Sequence, residues 1–252
     1  MRAMIFAAGL GTRLQSLTSH CPKAMVKVGG KPLLEHVLDK LYRAGVRDVV
    51  VNVHHFPDQI IDFVHSYHYA SEMDIRISDE RSQLLDTGGG LRKAFPLFLQ
   101  KDTTSPVLIH NVDILSDVSL SELYASCSGH DAVLLVSQRE TARYLLFDDD
   151  MKLVGWTNIR TGEVKTPYSS LDISRCQRLA FAGIHVVSSS LNAVMTKWPD
   201  VFGITDFYIR ECASLDIRGY VQPGLHLLDV GKPDTIAQAS SFLEEYHIGQ
   251  SF

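Results

Sequence analysis

Short apolar runs alternate with longer segments of helical periodicity through the first half of the chain. The apolar runs lie at 2–7, 48–53, 74–78, 106–110 and 132–137. The segments between them repeat apolar residues every three or four positions and lie at 33–44, 57–67, 89–99 and 119–127. Runs of the first kind predict buried strands, and segments of the second kind predict amphipathic helices. This βαβαβαβ order predicts an α/β fold with a mostly parallel central sheet that helices cover on both faces.

The second half of the chain has a less regular pattern. Two runs at 144–148 and 152–156 flank an acidic turn and predict a hairpin, and the polar stretch 160–175 predicts a loop or lid. Further strands are expected at 179–187 and 227–230, and further helices at 190–197, 206–214 and 233–246. Because no linker interrupts the pattern, the prediction is a single domain over residues 1–252.

Composition and charge narrow the class of protein. The chain has 252 residues with 24 Lys and Arg against 29 Asp and Glu, a net charge of −5, which disfavours general nucleic-acid binding. The four cysteines form no CxxC pair, which favours cytosolic thiols over a disulfide framework. The N-terminal apolar run is far shorter than the roughly 20 residues of a membrane span and lacks a signal-peptide pattern. We therefore expect a cytoplasmic protein with neither a nucleic-acid nor a membrane partner.

A glycine turn, Gly9-Leu10-Gly11, follows the first predicted strand and is followed by Thr12 and Arg13. The turn is not a dinucleotide-binding GxGxxG motif, because position 14 is leucine, and no Gly-Lys-Ser/Thr follows as a P-loop requires. A structural connection is one interpretation, since glycines often follow strands. An anion site is the other, because turn amides can approach a phosphate closely while Arg13 and Lys23 add positive charge.

Several further motifs occur in a fixed order along the chain. They are Ala7-Ala8-Gly9-Leu10-Gly11-Thr12-Arg13-Leu14, Pro22-Lys23, Gly30-Lys31-Pro32, Leu34-Glu35-His36, Ala44-Gly45-Val46, Asp86-Thr87-Gly88-Gly89-Gly90, Asn111-Val112-Asp113, Phe181-Ala182-Gly183-Ile184 and Asp229-Val230-Gly231. This series resembles the signature of the sugar-1-phosphate nucleotidylyltransferases and covers nearly the whole chain. The segment 52–55 and the triple glycine are most similar to the short subgroup of N-acetylmuramate-1-phosphate uridylyltransferases and mannose- and heptose-1-phosphate guanylyltransferases.

The resemblance implies a fold and a reaction. The expected fold is a single-domain, Rossmann-like three-layer αβα sandwich of the GT-A-like nucleotidyltransferase type, whose segment 140–215 forms the sugar-binding or lid portion. No hexapeptide repeats follow Asp229, so we expect no C-terminal β-helix. The implied reaction joins an NTP to a sugar 1-phosphate, giving an NDP-sugar and pyrophosphate in a Mg²⁺-dependent step. The implied assembly is a monomer or homodimer.

The resemblance also implies roles for the phosphate-binding residues. Arg13, Lys23 and Asp113 are the catalytic candidates, with Arg13 on the β- and γ-phosphates and Lys23 on the α-phosphate. Asp113 and Asp229 are the candidate Mg²⁺ ligands, because each ends an apolar strand and hard cations prefer carboxylate oxygens. The candidate nucleotide-binding residues are Ala8, Gly9, Gly11, Thr12, Arg13, Gln83 and Gly88.

The sugar phosphate is assigned to a second set of residues in the same way. These candidates are Gly89, Asn158, Lys165, Ala182 and Gly183. Lys165 departs from the family's adjacent Glu-Lys pair, because Val164 separates it from Glu163, and a solvated loop lysine is an equal interpretation. The glycines at 88–90 also permit a second interpretation, a tight start to a helix. His54 and His55 are expected to pack structurally. Asp117 is a weaker metal candidate, and a cap for the helix at 119–127 is the favoured interpretation.

Several functions remain open at this point. The leading pair of substrates is UTP with N-acetylmuramate or N-acetylhexosamine 1-phosphate, and GTP with mannose- or heptose-1-phosphate is the alternative. A cytidylyltransferase acting on an alcohol phosphate such as phosphocholine would need an aromatic cage, which the sequence does not show. A non-catalytic regulatory subunit would be expected to lack Arg13, Lys23, Asp113 or Asp229, and all four are present.

Overall fold

The computed structural model describes residues 1–246 and 248. The strands are β1 (Arg2–Phe6), β2 (Lys27–Val28), β3 (Lys31–Pro32), β4 (Asp48–Val53), β5 (Asp74–Asp79), β6 (Val107–Asn111), β7 (Ile114–Ser116), β8 (Ala132–Ser137), β9 (Arg143–Phe147), β10 (Leu153–Asn158), β11 (Glu163–Lys165), β12 (Gln177–Val187), β13 (Ile217–Tyr220) and β14 (Leu227–Asp229). The α-helices are α1 (Leu33–Arg43), α2 (Pro57–Ser66), α3 (Asp86–Leu99), α4 (Leu120–Ala125), α5 (Leu191–Met195), α6 (Ile204–Glu211) and α7 (Pro233–Glu245). Short 3₁₀ helices span Thr12–Thr18, Lys23–Met25 and Ile173–Arg175.

The central sheet is mixed, with a parallel block at its centre. Its strand order is β11-β10-β9-β12-β6-β1-β4-β5, and β8 and β13 extend it beside β12. Strands β6, β1, β4 and β5 are parallel, whereas β12 runs antiparallel to β6, β8 and β9. The α/β class with a mostly parallel central sheet is therefore confirmed. The pattern of alternating elements did not predict that β12 lies between β6 and β8, because that pairing joins segments far apart in sequence.

Side chains on the two faces of the sheet belong to two separate cores. On β1, Ala3 and Ile5 join one apolar cluster and Met4 and Phe6 join the other. The first core packs under α1, α2, α4 and α7, and the second packs under α3, α5 and α6. This alternation follows from the two-residue period of a strand and produces the three-layer arrangement.

Most predicted elements have close structural counterparts, but the strands β2, β3, β7 and β13 were not predicted, and three further regions differ. Helix α3 begins at Asp86, three residues before the predicted start, so the triple glycine lies inside the helix. The predicted loop 160–175 contains the short strand β11 and a 3₁₀ turn. A 3₁₀ helix begins at Thr12, directly after the glycine turn, where the periodicity predicted no helix.

No helix in the described part of the chain is both long enough and apolar enough to cross a membrane. The four cysteines are free thiols, as the absence of CxxC spacing predicted. Cys127 and Cys212 are buried, whereas Cys21 and Cys176 are partly exposed.

Candidate active site

A cavity of about 560 Å³ opens at the carboxyl ends of β1, β4 and β6. This is the edge at which ligands bind in open parallel sheets. The lining residues are Phe6, Ala7, Ala8, Gly9, Leu10, Gly11, Thr12, Arg13, Leu14, Lys23, Asn52, Glu80, Leu84, Asp86, Thr87, Asn111, Val112, Asp113, Val201 and Gly231. The glycine turn and the first aspartate motif, which are about a hundred residues apart in sequence, therefore share one cavity wall.

Gly11 has a conformation and a setting that only glycine fits well. Its φ is +64°, in the left-handed region, and a Cβ at this position would lie 2.8 Å from Cγ2 of Thr18 and 3.2 Å from Cβ of Lys23. Its carbonyl accepts hydrogen bonds from the amide of Leu14 at 2.9 Å and from the Thr18 hydroxyl at 3.0 Å. The turn therefore folds the following segment back so that Lys23 lies against it.

Lys23 is the cation buried at the wall of this cavity. It begins the 3₁₀ helix Lys23–Met25, and its ammonium group forms an ion pair and hydrogen bond with the carboxylate of Asp113. The two side chains are only 10% and 16% exposed. Because water screens this site only weakly, an anion that contacts the Lys23 ammonium directly would interact with it strongly.

Asp113 and Asp229 lie at the same end of the neighbouring strands β7 and β14. Residue 113 directly precedes β7, Asp229 ends β14 opposite Ile114, and the amide of Val230 donates to the carbonyl of Asp113 at 2.8 Å. The Oδ1 atom of Asp229 is buried and has no hydrogen-bond partner among the described residues. Burying a carboxylate oxygen without a hydrogen-bond partner destabilises the folded protein. A bound cation would supply the positive charge that offsets this desolvation cost. Two carboxylates suit a hard divalent cation, so the residues present fit such an ion.

Gly231 lies close to both the Arg13 guanidinium and the Asp229 carboxylate. A Cβ on Gly231 would lie 2.7 Å from Oδ1 of Asp229 and 3.1 Å from a terminal guanidinium nitrogen of Arg13. Gly231 is therefore a close-approach glycine, and a side chain there would displace one of these two charged groups. The cavity wall thus brings together Arg13, Lys23 and Asp113, and Asp229 lies beside the wall next to Gly231. These four residues were proposed as a set from the sequence.

Side chains of Lys40 and Asp117 stabilise the strand pair β7–β14 next to the two aspartates. Strands β7 and β14 have only three residues each, too few for independent stability. The ammonium group of Lys40 on α1 donates to the Ser116 carbonyl at 2.5 Å and to its hydroxyl at 2.9 Å. At the end of the strand pair opposite Asp113 and Asp229, the carboxylate of Asp117 accepts from the backbone amide of His226 at 2.9 Å and contacts its imidazole at 2.7 Å. Asp117 therefore joins the segments that follow β7 and precede β14, and the prediction that it caps α4 is wrong, because Ser119 is the N-cap of that helix.

The pH dependence of stability should carry a signature of Lys40. Burial lowers the pKa of its ammonium group to about 7, although Asp117 acts in the opposite direction. Below pH 7 both the folded and the unfolded chain hold this proton, and the folded state carries the full desolvation cost. Above pH 7 the folded chain releases the proton while the unfolded chain keeps it to about pH 10.4, so this cost disappears as pH rises.

The quantity to compare is the free energy of unfolding of the unaltered protein minus that of Lys40→Met. We expect this difference to rise by roughly 2–4 kcal/mol between pH 6.5 and pH 10. Urea titrations at four pH values measure this difference. Lys27→Met is the matched control, because Lys27 is exposed on β2 and should give a difference that does not change with pH. Parallel stability curves for the unaltered protein and Lys40→Met would contradict the expectation.

The residues predicted to contact the base lie at different depths. Gln83 is exposed and is not among the described lining residues, whereas Leu84, Asp86 and Thr87 line the cavity. Gly88 and Gly89 are buried, and both amides donate to the carbonyl of Phe202, at 2.9 and 3.2 Å. A Cβ would lie 2.3 Å from the Phe202 ring at Gly88 and 2.2 Å from the carbonyl oxygen of Asp200 at Gly89. These contacts account for both glycines by close packing, and their binding roles stay predictions.

Apart from Gly89 in α3, the residues predicted for the sugar side lie on β10, β11 and β12. Asn158 ends β10 and accepts from the amide of Arg160 at 3.0 Å. Ala182 is buried in β12, and Gly183 has a φ of +76°. A Cβ on Gly183 would lie 2.7 Å from Nδ2 of Asn111, so this glycine leaves room for a side chain that lines the main cavity.

Lys165 lies apart from the main cavity. Its ammonium group lies 3.4 Å from the Asp206 carboxylate and 5.2 Å from the centroid of the Trp156 ring. It lines a second cavity of about 710 Å³ that borders the first at Val201. The other lining residues of this second cavity are Val164, Thr166, Pro167, Phe202, Gly203, Asp206, Ile209 and Arg210.

Several lining residues received no binding or catalytic role of their own from the sequence. Asn111 is the last residue of the buried strand β6, and Asn52 is the next-to-last residue of the buried strand β4. Their positions near strand ends were an available signal. Glu80 gave no such signal, because acidic residues between a strand and a helix are common at surfaces, whereas Asp86 begins the motif that ends in the triple glycine. His54 was expected to pack structurally, and its Nδ1 lies 2.8 Å from the carbonyl oxygen of Glu80.

A different cluster has metal-like spacing but is already neutralised. Ligand atoms of Glu35, Asp39 and His68 lie within 4.8 Å of one another. The Lys31 ammonium lies 3.3 Å from the Glu35 carboxylate and 2.9 Å from that of Asp39. The hydroxyl of Tyr67 also donates to Asp39 at 2.8 Å. These groups satisfy the carboxylates without a metal ion.

The fold and the cavity define a nucleotidyltransferase: a glycine turn and cations at the edge of a parallel sheet, with paired carboxylates beside them. The chain belongs to the family described as "MobA-like NTP transferase domain", whose model matches residues 3–159. It is an enzyme of the nucleotidyltransferase class, a class in which divalent metal ions are commonly used.

Curated relatives and solved structures are consistent with this membership. The N-acetylmuramate alpha-1-phosphate uridylyltransferase of Caulobacter vibrioides is 31% identical over 96% of this chain and 97% of its own length. The mannose-1-phosphate guanyltransferase of Debaryomyces hansenii is 28% identical over 92% of this chain and 62% of its own length. The crystal structure of HddC from Yersinia pseudotuberculosis complexed with GMP-PN has a TM-score of 0.72 at 20% identity. It covers 95% of this chain and 98% of HddC, and at that identity it supports the fold alone.

Proposed function

We propose that this protein transfers a nucleotidyl group from an NTP to a sugar 1-phosphate and releases pyrophosphate. One observation carries the proposal: the glycine turn, Arg13 and the Lys23–Asp113 pair line a single cavity, with Asp229 beside it across Gly231. This arrangement provides positive charge and backbone amides where a triphosphate would lie. The curated relatives, which are named for this type of reaction, support the same class.

The chemistry requires charge neutralisation more than proton transfer. An oxygen of the sugar phosphate attacks the α-phosphorus in line, a new P–O bond forms, and the bond to the pyrophosphate leaving group breaks. Both reactants are anions, so catalysis depends on positioning and on cations. Arg13 would hold the β- and γ-phosphates, and Lys23 would neutralise charge that develops at the α-phosphate. A Mg²⁺ ion held by Asp113 and Asp229 would, when bound, neutralise phosphate oxygens.

The nucleotide is assigned to the glycine turn. Ala8, Gly9, Gly11 and Thr12 line the cavity next to Arg13 and are proposed to surround the nucleotide. Gln83 and Gly88 are proposed on the base side, where the neighbouring Leu84, Asp86 and Thr87 form the wall.

The sugar phosphate is assigned to the adjoining side of the domain. The segment 140–215 is proposed to form this portion of a single domain, using Gly89, Asn158, Lys165, Ala182 and Gly183. The supporting observation is that the second cavity, which Lys165 lines, borders the nucleotide cavity at Val201.

We propose UTP with N-acetylmuramate or N-acetylhexosamine 1-phosphate as the substrates. The support is the Caulobacter relative, which aligns over nearly the full length of both chains. GTP with mannose- or heptose-1-phosphate is the second candidate, because other relatives are mannose-1-phosphate guanyltransferases. Since NTPs are cytoplasmic substrates, we place the activity in the cytoplasm, carried out by a monomer or homodimer.

A pyrophosphate-release screen tests this proposal. The purified protein is incubated with Mg²⁺, each of the four NTPs and a panel of sugar 1-phosphates, with phosphocholine as the non-sugar acceptor. We expect release that requires both an NTP and a sugar 1-phosphate, with UTP and an N-acetylated sugar giving the highest kcat/KM. Preference for GTP with mannose 1-phosphate would select the second candidate. No turnover with any sugar phosphate would contradict the proposed class of acceptor.

A further inference from the structure

A buried polar pair lies directly beneath the proposed nucleotide loop. Asn52 at the end of β4 is 3% exposed, and Glu80 just after β5 is fully buried. The Asn52 side-chain amide donates to Oε1 of Glu80 at 2.7 Å. Desolvation raises the pKa of the Glu80 carboxyl, although the hydrogen bonds from Asn52 and Leu85 and the more distant Lys93 and His54 act in the opposite direction. No cation of the described residues forms an ion pair with it. An acidic residue is rarely buried this fully without a cation, so the pair calls for an explanation.

The Asn52 side chain holds the first peptides of the loop. Its Oδ1 atom accepts from the amide of Ala7 at 2.7 Å and from the amide of Ala8 at 3.3 Å. These two amides therefore face the protein, and anion binding is left to loop amides from Gly9 onward. One side-chain oxygen thus sets the direction in which the glycine turn leaves β1.

The Glu80 carboxylate connects this loop to the opposite wall of the cavity. Its Oε2 atom accepts from the amide of Leu85 at 3.1 Å, immediately before α3. Its backbone is tied to β4, because the amide of Glu80 donates to the carbonyl of Val53 at 2.8 Å. The carboxylate therefore connects two parts of the site. Through Asn52 it reaches the loop after β1, and through Leu85 it reaches the start of α3, where Leu84 and Asp86 line the cavity.

The third glycine of the triple-glycine motif has its explanation here. A Cβ on Gly90 would lie 2.7 Å from Oε1 of Glu80 and 3.0 Å from Nδ2 of Asn52. Glycine at this position in α3 leaves room for the pair. The motif thus serves two packing tasks: Gly88 and Gly89 admit the segment 200–202, and Gly90 admits the Asn52–Glu80 hydrogen bond.

We propose that Asn52 and Glu80 are positioning residues that fix the nucleotide loop relative to the base-side wall, so that NTP affinity depends on their hydrogen bond. The inference rests on the proposed function only in taking the NTP as the occupant of this cavity. Neither residue needs to touch the reacting atoms.

Reversing the polarity of the hydrogen bond tests the inference. Asn52→Asp keeps the acceptor for Ala7 and Ala8 but removes the donor to Glu80, so two acidic oxygens face each other. Glu80→Gln loses one of its two bonds, because its amide cannot accept from both Asn52 and Leu85. In the double variant the amide at position 80 donates to the new carboxylate, while its oxygen still accepts from Leu85. All the bonds are then restored with an unchanged net charge.

The readout is the Kd for each NTP with Mg²⁺, measured by calorimetry on the full chain. We expect Asn52→Asp to raise the Kd by about tenfold or more and Glu80→Gln by a smaller factor, with the double variant within about threefold of the unaltered protein. Ser78→Ala is the matched control, since Ser78 is 3% exposed on β5 and its hydroxyl has no partner among the described residues. It should leave the Kd unchanged.

Steady-state kinetics separate positioning from general destabilisation. We expect the NTP KM of Asn52→Asp to rise while kcat and the sugar-phosphate KM change by less than about twofold. An unchanged Kd in both single variants, or a double variant as weak as Asn52→Asp, would overturn the inference. If Asn52→Asp fails to fold, Glu80→Gln and the double variant still decide it. Absence of turnover in the unaltered protein would count against the proposed function, while the binding cycle would still decide this inference.

Discussion

Replacing Lys23 by methionine is expected to lower kcat by about 10²–10³-fold while the protein stays folded. The ammonium group lies at the cavity wall, paired with Asp113 and 10% exposed. Methionine has a similar length but no charge, so the developing negative charge at the α-phosphate would lose its nearest cation. Steady-state kinetics at saturating NTP and sugar phosphate measure the effect, because an interaction made only in the transition state lowers kcat.

Lys27→Met is the matched control for this change. Lys27 is four residues away on β2, and it is exposed. It should leave kcat within about twofold of the unaltered value, because an exposed charge away from the cavity is largely screened. A Lys23→Met variant with kcat within about threefold of the unaltered protein would contradict the assigned role, provided that both variants melt at similar temperatures.

Asp229→Asn is expected to raise the Mg²⁺ concentration for half-maximal activity by about tenfold or more and to lower kcat by about 10²-fold. The buried Oδ1 atom of Asp229, which has no partner among the described residues, is the expected contact for the cation. Removing one negative charge weakens attraction for a divalent ion, and excess Mg²⁺ should partly restore activity. Titration of Mg²⁺ at fixed substrate concentrations measures both effects.

Asp234→Asn controls for loss of a nearby acidic charge, because Asp234 is exposed in the first turn of α7. Its Mg²⁺ requirement should match that of the unaltered protein. An Asp229→Asn variant whose Mg²⁺ requirement does not change would show that the cation is held elsewhere. Direct binding of Mn²⁺, followed by electron paramagnetic resonance, gives the same comparison without turnover.

The glycine turn and Asp113 could be predicted from the sequence as one site because each follows a strongly apolar strand. The run that forms β1 leads to the glycine turn, and the run that forms β6 leads to Asp113. Parallel strands end at one edge, so their neighbouring residues converge there. The contact between Lys23 and Asp113, which are 90 positions apart, is a consequence of this geometry.

Other features depend on pairings that local patterns do not encode. Strand β12 lies between β6 and β8 because of long-range register, and its irregular region between Phe181 and His185 has no signal in apolar periodicity. Helix α3 starts three residues before the predicted start, since its glycines pack against the distant segment 200–202. The Asn52–Glu80 bond links the ends of two strands, and neither residue type indicates burial.

The central claim is that one cavity transfers a nucleotidyl group to a sugar phosphate. Phosphorus NMR of a single reaction with Mg²⁺, UTP and N-acetylmuramate 1-phosphate tests it most directly, with GTP and mannose 1-phosphate as the parallel reaction. We predict that pyrophosphate and a nucleoside diphosphate sugar appear in equal amounts. Lys23→Met and Asp229→Asn should slow the formation of these two products by the same factor. Formation of a nucleoside monophosphate and pyrophosphate without any sugar product, or release of inorganic phosphate with a nucleoside diphosphate, would contradict the account.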